Sequence, residues 1–457
     1  MSTLPSGTPA PQPSQPRFNT DAAHQQHPKL RPVRGFAAQG QGPDGKQMQL
    51  LGIADARQIS EKNVFLSPAA QMILPLMDGN RGVDDIVTEV GHGLTRPLLE
   101  NIIAQLDEAA LLEGPVFDAL LSKIKSDFDG MDILPPAVSA QFTDSVVEQA
   151  VGEGATPEQK AAQGPKRVGE IFDLWMSKAL ENVENPSLDT LPKAIVVPHL
   201  DYQRGWINYA SSYGKLRVCD RPDRIVILGT NHFGACTGVC GCNKGYETPM
   251  GICPADTAMI ELMRAKLGEL LFENRYDHEH EHSIELQIMW IQHIFGKDDA
   301  GNFMPVFGAL IHDPTVNNGQ SYDGQGIGLE PFVAALKSAI TELPGRTLVV
   351  SSADLSHTGP AFGDKQPLAG ESQEATDARN KILQHDHEMI QLVAQNKPAE
   401  LVASMAWQQN PTRWCSIGNL VATLLTVEPT QVDLLNFSAA MDQQGLTMVS
   451  SVSMVMS

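Results

Sequence analysis

The sequence predicts an α/β protein: a central, mostly parallel sheet flanked by helices, preceded by a small N-terminal winged-helix-like α+β domain. Three observations predict it. From residue 191 onward, apolar runs ("KAIVVP", "RIVILG", "MPVFGALI", "RTLVVSS", "VDLLNFSAA", "LTMVSSVSMVM") alternate with helix-period segments such as "EHSIELQIMWIQHIF", "LEPFVAALKSAITEL" and "CSIGNLVATLL". Strands apolar on both faces suit a sheet covered on each side by helices. Three of these segments end in polar, ligand-type residues. Residues 36–114 follow another pattern, two short strand candidates and then three short helical periods.

Residues 1–35 are rich in Pro, Gln and Ser and are expected to be disordered, because they cannot bury enough apolar surface to offset their ordering entropy. In 36–114, "MQLLGI" and "NVFLS" are the strand candidates. Ser67-Pro68 opens a helix that stops at Asp78-Gly79, and Pro75 should kink or end it. A second helix lines up Val83, Ile86, Val87 and Val90. A third, capped by Thr95 with Pro97 in its first turn, lines up Leu99, Ile102, Ile103, Leu106 and Ala110. Residues 115–190 read as a helical linker broken at "LPPAVS" and "GEGATPEQKAAQGP", with "VGEIFDLWMSKALENV" docking onto the domain at 191–457.

A chain of 457 residues, 42% of them hydrophobic, has room for two folded units. Its 33 basic against 54 acidic side chains, a net charge of −21, argue against a nucleic-acid partner. No stretch approaches the roughly twenty apolar residues that span a bilayer, so no membrane role is expected. No basic segment followed by an apolar core marks a signal peptide. Six cysteines in this length do not make a disulfide scaffold, and a reducing cytoplasm fits them.

The three segments with polar ends read "AIVVPHLDY", "IVILGTNHFG" and "LVVSSADLSHTG". In open α/β sheets ligands bind beyond the carboxyl ends of the strands, so His199, His232, Asp354 and His357 should converge there. His282 lies with Glu281 and Glu285 in the run "DHEHEHSIE". That run is either a solvated acidic helix start or a support that orients an imidazole through its free N–H. Support is the reading taken for His282, and solvent for His278 and His280. Cys236, Cys240, Cys242 and Cys253 lack paired CxxC spacing; they are buried or incidental thiols, with a second structural metal as the alternative. Cys415 precedes an apolar helix whose dipole favours an anionic sulfur, and is open to both core and ligand readings.

The segments "PHLDYQRG" (198–205), "LGTNH" (228–232), "YETPMG" (246–251), "EHSIE" (281–285), "SSADLSH" (351–357) and "TRWCSIGN" (412–419) occur in the order seen in the Memo family. The chain resembles that family, which includes the bacterial AmmeMemoRadiSam system protein B, over nearly all of 191–457. The resemblance implies a fold like that of the class III extradiol dioxygenases. It also implies a metal held by His199, His232 and Cys415, His357 as acid/base, and Asp354 and His282 lining the pocket beside it. "PHLDY" stands where many members have "PHAGY", and "CSIGN" where "CG" is common; both departures bear on pocket shape. Two imidazoles and an anion with open positions suit dioxygen activation on iron, while a thiolate shifts preference toward copper or zinc.

The expected function is a metal-dependent oxidoreductase using iron or copper. The alternatives are a zinc-type hydrolase or lyase and a non-enzymatic module that binds metal or peptide. "VFLSPAAQMILPLMDGNRGVDDIV" and "LLENIIAQLDEAALLEG" resemble the PqqD-like peptide-recognition domains. The partners expected are therefore a small molecule or a peptide.

Overall fold

The computed structural model of the chain describes residues 16–41, 47–91, 93–152, 154–366 and 368–457. It divides into two compact units, one ending at Asp129 and the other running from Gly130 to Ser457. Among the described residues, no helix is long and apolar enough to cross a membrane.

The first unit comprises α1 (Ala23–Gln26), β1 (Val33–Gln41), β2 (Gln47–Asp55), β3 (Val64–Leu66), α2 (Val83–Val90), α3 (Arg96–Glu108) and α4 (Pro115–Gly130). Its strands pair antiparallel in the order β1-β2-β3. Leu51, Ile53, Val64, Val83, Ile86, Leu99, Ile103 and Leu106 form its core, so both helical periods face inward as the sequence predicts.

Two expectations fail in this unit. Disorder was expected through residue 35, and its first fifteen residues lie outside those described. Residues 16–35, however, are built into the fold. Arg31 is buried, donating to Asp55 at 3.0 Å and to the Ala110 carbonyl at 2.8 Å, and Leu30 N–H donates to Met77 O. Polar composition concealed this, because the anchoring partners lie far along the chain. The helix expected from Ser67 to Gly79 is instead two 3-10 turns, Pro68–Met72 and Leu74–Leu76. Pro75 cannot donate to an α-helical ladder and would crowd the carbonyl one turn back.

The second unit opens with β4 (Ile133–Leu134), α5 (Val138–Val151), α6 (Pro157–Leu180), β5 (Ala194–Val197), α7 (Tyr202–Lys215) and β6 (Arg224–Thr230). There follow β7 (Cys240–Gly241), β8 (Gly245–Thr248), β9 (Gly251–Cys253), α8 (Thr257–Leu267), α9 (His282–Phe295), β10 (Val306–Ile311) and α10 (Leu329–Glu342). It closes with β11 (Thr347–Ser352), β12 (Asp354–Thr358), α11 (Gln373–Ala394), α12 (Pro398–Gln408), α13 (Ile417–Val427), β13 (Val432–Met441) and β14 (Met448–Met456).

Among the described residues the main sheet runs β12-β14-β5-β11-β6-β10-β7, with β13 paired to β14. Strands β5, β11, β6 and β10 are parallel, and antiparallel strands complete both sides. All six expected strands are present, in a mixed sheet with a parallel centre. Side chains alternate across a strand. Val196, Val226, Leu228, Phe307 and Val349 share one core with α8 and α10–α13. The other face is covered by α7 and α9.

The segment 115–190 is helical, as expected of the linker, but it is divided between the units. Helices α5 and α6 belong to the second, where Phe142, Phe172 and Trp175 pack with Tyr202 and Trp290. Helix α5 is held by a distant carboxylate. Glu285, in α9, accepts the backbone N–H groups of Ala137, Val138 and Ser139 at 2.7, 3.1 and 3.0 Å, and the Ser139 hydroxyl at 2.5 Å. An anion at a helix N-terminus satisfies donors that have no partner within the helix.

Glu285→Ala is therefore expected to destabilise the full chain by about 2–4 kcal/mol, because several buried donors lose their acceptor. Glu285→Gln should recover part of that. Denaturant unfolding at neutral pH checks it, and an unchanged midpoint for the Ala variant would contradict the capping role.

Candidate metal centre

The site lies where the parallel strands stop. Strands β5, β11 and β6 are neighbours ending at Val197, Ser352 and Thr230, and each carries a ligand-type residue two positions later: His199, Asp354 and His232. The starts of α9 and α13 meet this edge and bring His282 and Cys415. Close approach requires a glycine in "LGTNH": a Cβ on Gly229 would lie 2.5 Å from Ser283 Oγ and 2.8 Å from Ile284 Cγ1.

Among the described residues, His199, His232 and His282 each offer a ligand atom, and these all lie within 4.8 Å of one another, so the trio could hold a metal ion. The rings of His232 and His282 stack at 4.9 Å, with His199 edge-on to both at 5.0 and 5.5 Å. Cys415 Sγ lies 3.3 Å from His199 Nε2. The four residues read as ligand or support thus come together, and His282 lies within reach of the same ion that His199 and His232 could hold. Chain distance hid this, since 50 residues separate His232 from His282.

Fixed partners set the imidazole tautomers. His199 Nδ1 is 3.1 Å from the Ser352 carbonyl, which can only accept, so Nδ1 carries the proton and Nε2 keeps its lone pair. His232 Nδ1 lies 3.1 Å from both oxygens of Glu281, and His282 Nδ1 is 3.4 Å from Glu281 Oε1. Glu281 is buried and also accepts the N–H of His232 at 3.0 Å and of Ser283 at 2.8 Å. Burial alone would raise its pKa, but the His232 and His282 imidazoles and these donors hold it well below the usual carboxylate range. Burial would likewise depress His232, yet Glu281 and Cys415 hold it well above the usual imidazole range. Burial, with the neighbouring histidines, pushes His199 well down.

Asp354 is buried beside His199, accepting its N–H at 3.1 Å with Oδ2 3.7 Å from Nε2. Burial pushes its pKa up to about 7, against the pull of the His199 and Leu200 N–H groups. Asp354 follows the end of β11, as expected, but it and His357 also belong to a further strand that the sequence did not show. After Ala353 the chain resumes as β12, antiparallel to β14, with Asp354 opposite Ser451 and His357 opposite Val449. Alternating polar residues masked a strand that pairs on the sheet's flank. His357 Nδ1 donates to the Leu355 carbonyl at 3.0 Å, Nε2 has no hydrogen-bond partner among the described residues, and burial lowers its pKa to about 4.

Several supports escaped sequence reading. Gln287 donates to the Pro198 carbonyl and to Ser352 Oγ, both at 2.8 Å, bracing the strand ends beside His199. Asn419 donates to Thr230 Oγ1 and to the Ser352 carbonyl, and Thr230 Oγ1 lies 3.0 Å from Ser416 Oγ, tying α13 to β6 and β11. Asp386, fully buried in α11, accepts from Trp414 Nε1 at 2.7 Å, Ser356 Oγ at 2.5 Å and Ser450 Oγ at 2.6 Å. It thereby fixes the neighbours of Cys415 and His357. "TNH" and "SIGN" carried a trace of Thr230 and Asn419; nothing near Asp386 marked it.

His278, expected in solvent, is buried between Tyr246 OH at 3.0 Å and the Cys240 carbonyl at 3.1 Å, while His280 is exposed. Cys240, Cys242 and Cys253 are buried and Cys236 half-buried, all as free thiols. Among the described residues these four are not in the metal-capable group.

A family model described as "Memo-like protein" matches residues 172–456. A MEMO1 family protein of Aquifex aeolicus is 23% identical over 351 residues, 76% of this chain and 79% of its own length. That alignment is longer than the family-model span and so extends upstream of it. A MEMO1 family protein of Methanopyrus kandleri is 25% identical over 56% of this chain and 79% of its own. One from Sulfolobus acidocaldarius is 31% identical over 36% and 53%.

If Glu281 orients two of the imidazoles, Glu281→Ala should weaken metal binding by about 10–100-fold while the protein still folds. Competition with a chromophoric chelator measures this. Equal affinity in variant and wild type would mean that packing alone orients the rings.

Proposed function

The chain belongs to the Memo family, and on that premise we propose that it is a metal-dependent oxidoreductase with a fold like that of the class III extradiol dioxygenases, acting on a small molecule. The observation that carries this reading is the trio of imidazoles with ligand atoms within 4.8 Å of one another, their Nδ1 atoms beside Ser352 and Glu281 and the Cys415 sulfur 3.3 Å from His199 Nε2. His199, His232 and Cys415 are the proposed ligands, with His282 within reach of the same ion. Iron or copper held there would supply a redox centre with open positions for a substrate.

The chain's own residues supply the rest. Ser352, Gln287 and Glu281 hold the donor atoms in place, so little reorganisation accompanies binding. His357, neutral at physiological pH, accepts or returns a proton. Asp354, with a pKa near neutrality, is suited to exchange one beside His199. The same nitrogen and sulfur donors also suit zinc, and the Asp354–His357 pair would then serve a hydrolase or lyase. The six free cysteines support a reducing, cytoplasmic setting.

For the N-terminal unit we propose peptide recognition. Strand β3 is an edge strand with Phe65 exposed. It borders a cavity of about 560 Å³ lined also by Lys62, Asn63, Asn101, Gln105 and Glu108. An extended peptide pairing with β3 would place side chains there. Peptides selected from a display library on the full chain should lose binding to Phe65→Asp; peptides that bind the variant equally would remove β3 as the docking edge.

Single Ala substitutions of His199, His232 and Cys415 should each reduce metal content of protein purified without oxygen to below about a tenth of wild type, since each removes one of few ligands. His357→Ala should keep the metal and lose turnover. Elemental analysis with a spectrum of the metal checks both. Metal content near wild type in all three ligand variants, or its loss in His357→Ala, would overturn the assignment. A zinc-only protein would favour the hydrolytic reading.

A further inference from the structure

A cavity of about 710 Å³ lies behind the His357 strand, lined by Thr358, Lys365, Leu368, Lys381, His385 and Thr412 among others; the metal-capable histidines are not part of it. Its size is that of a metabolite site. Two lining groups are buried without a hydrogen-bond partner among the described residues: His385 Nε2 and Thr412 Oγ1, on residues 8% and 7% exposed. Orphaned buried polar atoms are costly, so a site that keeps two beside one cavity points to an occupant that satisfies them.

The charges say how that occupant is oriented. Lys365 and Lys381 are exposed and make no ion pair among the described residues. The acidic lining groups are already engaged: Asp364 by Arg413 and the Gly359 N–H, Glu388 by Gln384. Asp386 is not part of the lining, but it follows His385 in the chain and interacts with its ring, so a second anion at that end is disfavoured. Anionic charge therefore belongs with the exposed lysines and a neutral hydrogen-bonding group at the buried end. Leu368, Ala378 and Ile382 provide apolar wall. We propose that this cavity binds a small organic acid whose other end carries a hydroxyl, the carboxylate meeting Lys365 and Lys381 and the hydroxyl meeting Thr412 and His385.

Titration calorimetry of the full chain with ω-hydroxyhexanoate, hexanoate and hexanediol tests it. The hydroxy acid should bind about fivefold more tightly than either control, the order of one hydrogen bond. Lys381→Met should weaken both acids about threefold and leave the diol unchanged, as loss of an exposed charge would. Thr412→Val should abolish the advantage of the hydroxy acid over hexanoate while unfolding no earlier than wild type. Absence of binding by the hydroxy acid, or binding indifferent to Lys381→Met, would leave ordered water as the partner of His385 and Thr412 and overturn the proposal. Should Thr412→Val fail to fold, the three-probe comparison on wild type and Lys381→Met decides alone.

Discussion

The Glu281 carboxylate is the interaction on which the centre depends. A buried anion is costly unless it is paired and hydrogen-bonded. Here it receives two imidazoles and two backbone N–H groups, from His232, His282 and Ser283. It caps α9, fixes the loop after β6 and sets two ring orientations at once. A residue that only capped the helix would not need two histidines, and one that only oriented histidines would not need to start α9.

Helix α9 carries the consequences inward. Its first turn supplies both His282 and Glu285, which caps α5, and Gln287 braces the strand ends beside His199. Farther along, Trp290 stacks on Phe172 at 3.9 Å and lies parallel to Tyr209 and Tyr213. Through this helix the aromatic layer of α6 and α7 is continuous with the site. Movement of α9 would be felt at three strand ends, which accounts for the density of buried hydrogen bonds around its start.

The sheet was legible because its strands are apolar on both faces, and two of the histidines because they follow such strands directly. Strand β12 was not, since "DLSHT" alternates polar residues and is recognised only by its pairing with β14. Long-range supports were invisible for a related reason: Glu285 acts on residues about 147 positions away, and Asp386 joins three segments that no local pattern connects. Arg31 shows the reverse error, a polar stretch read as disorder that is tied down by a buried ion pair with Asp55 and by backbone bonds to Met77 and Leu111. His282 was read as a support that orients a ligating imidazole, and the fold turns its own ring toward His199 and His232 as well.

X-ray absorption at the metal edge, on the full chain purified without oxygen, tests the central claim most directly. The account expects two or three imidazole nitrogens and one sulfur at about 2.3 Å, the distance of a metal–thiolate bond. A shell of nitrogen and oxygen alone would contradict it, because Cys415 would then stand beside the centre without belonging to it.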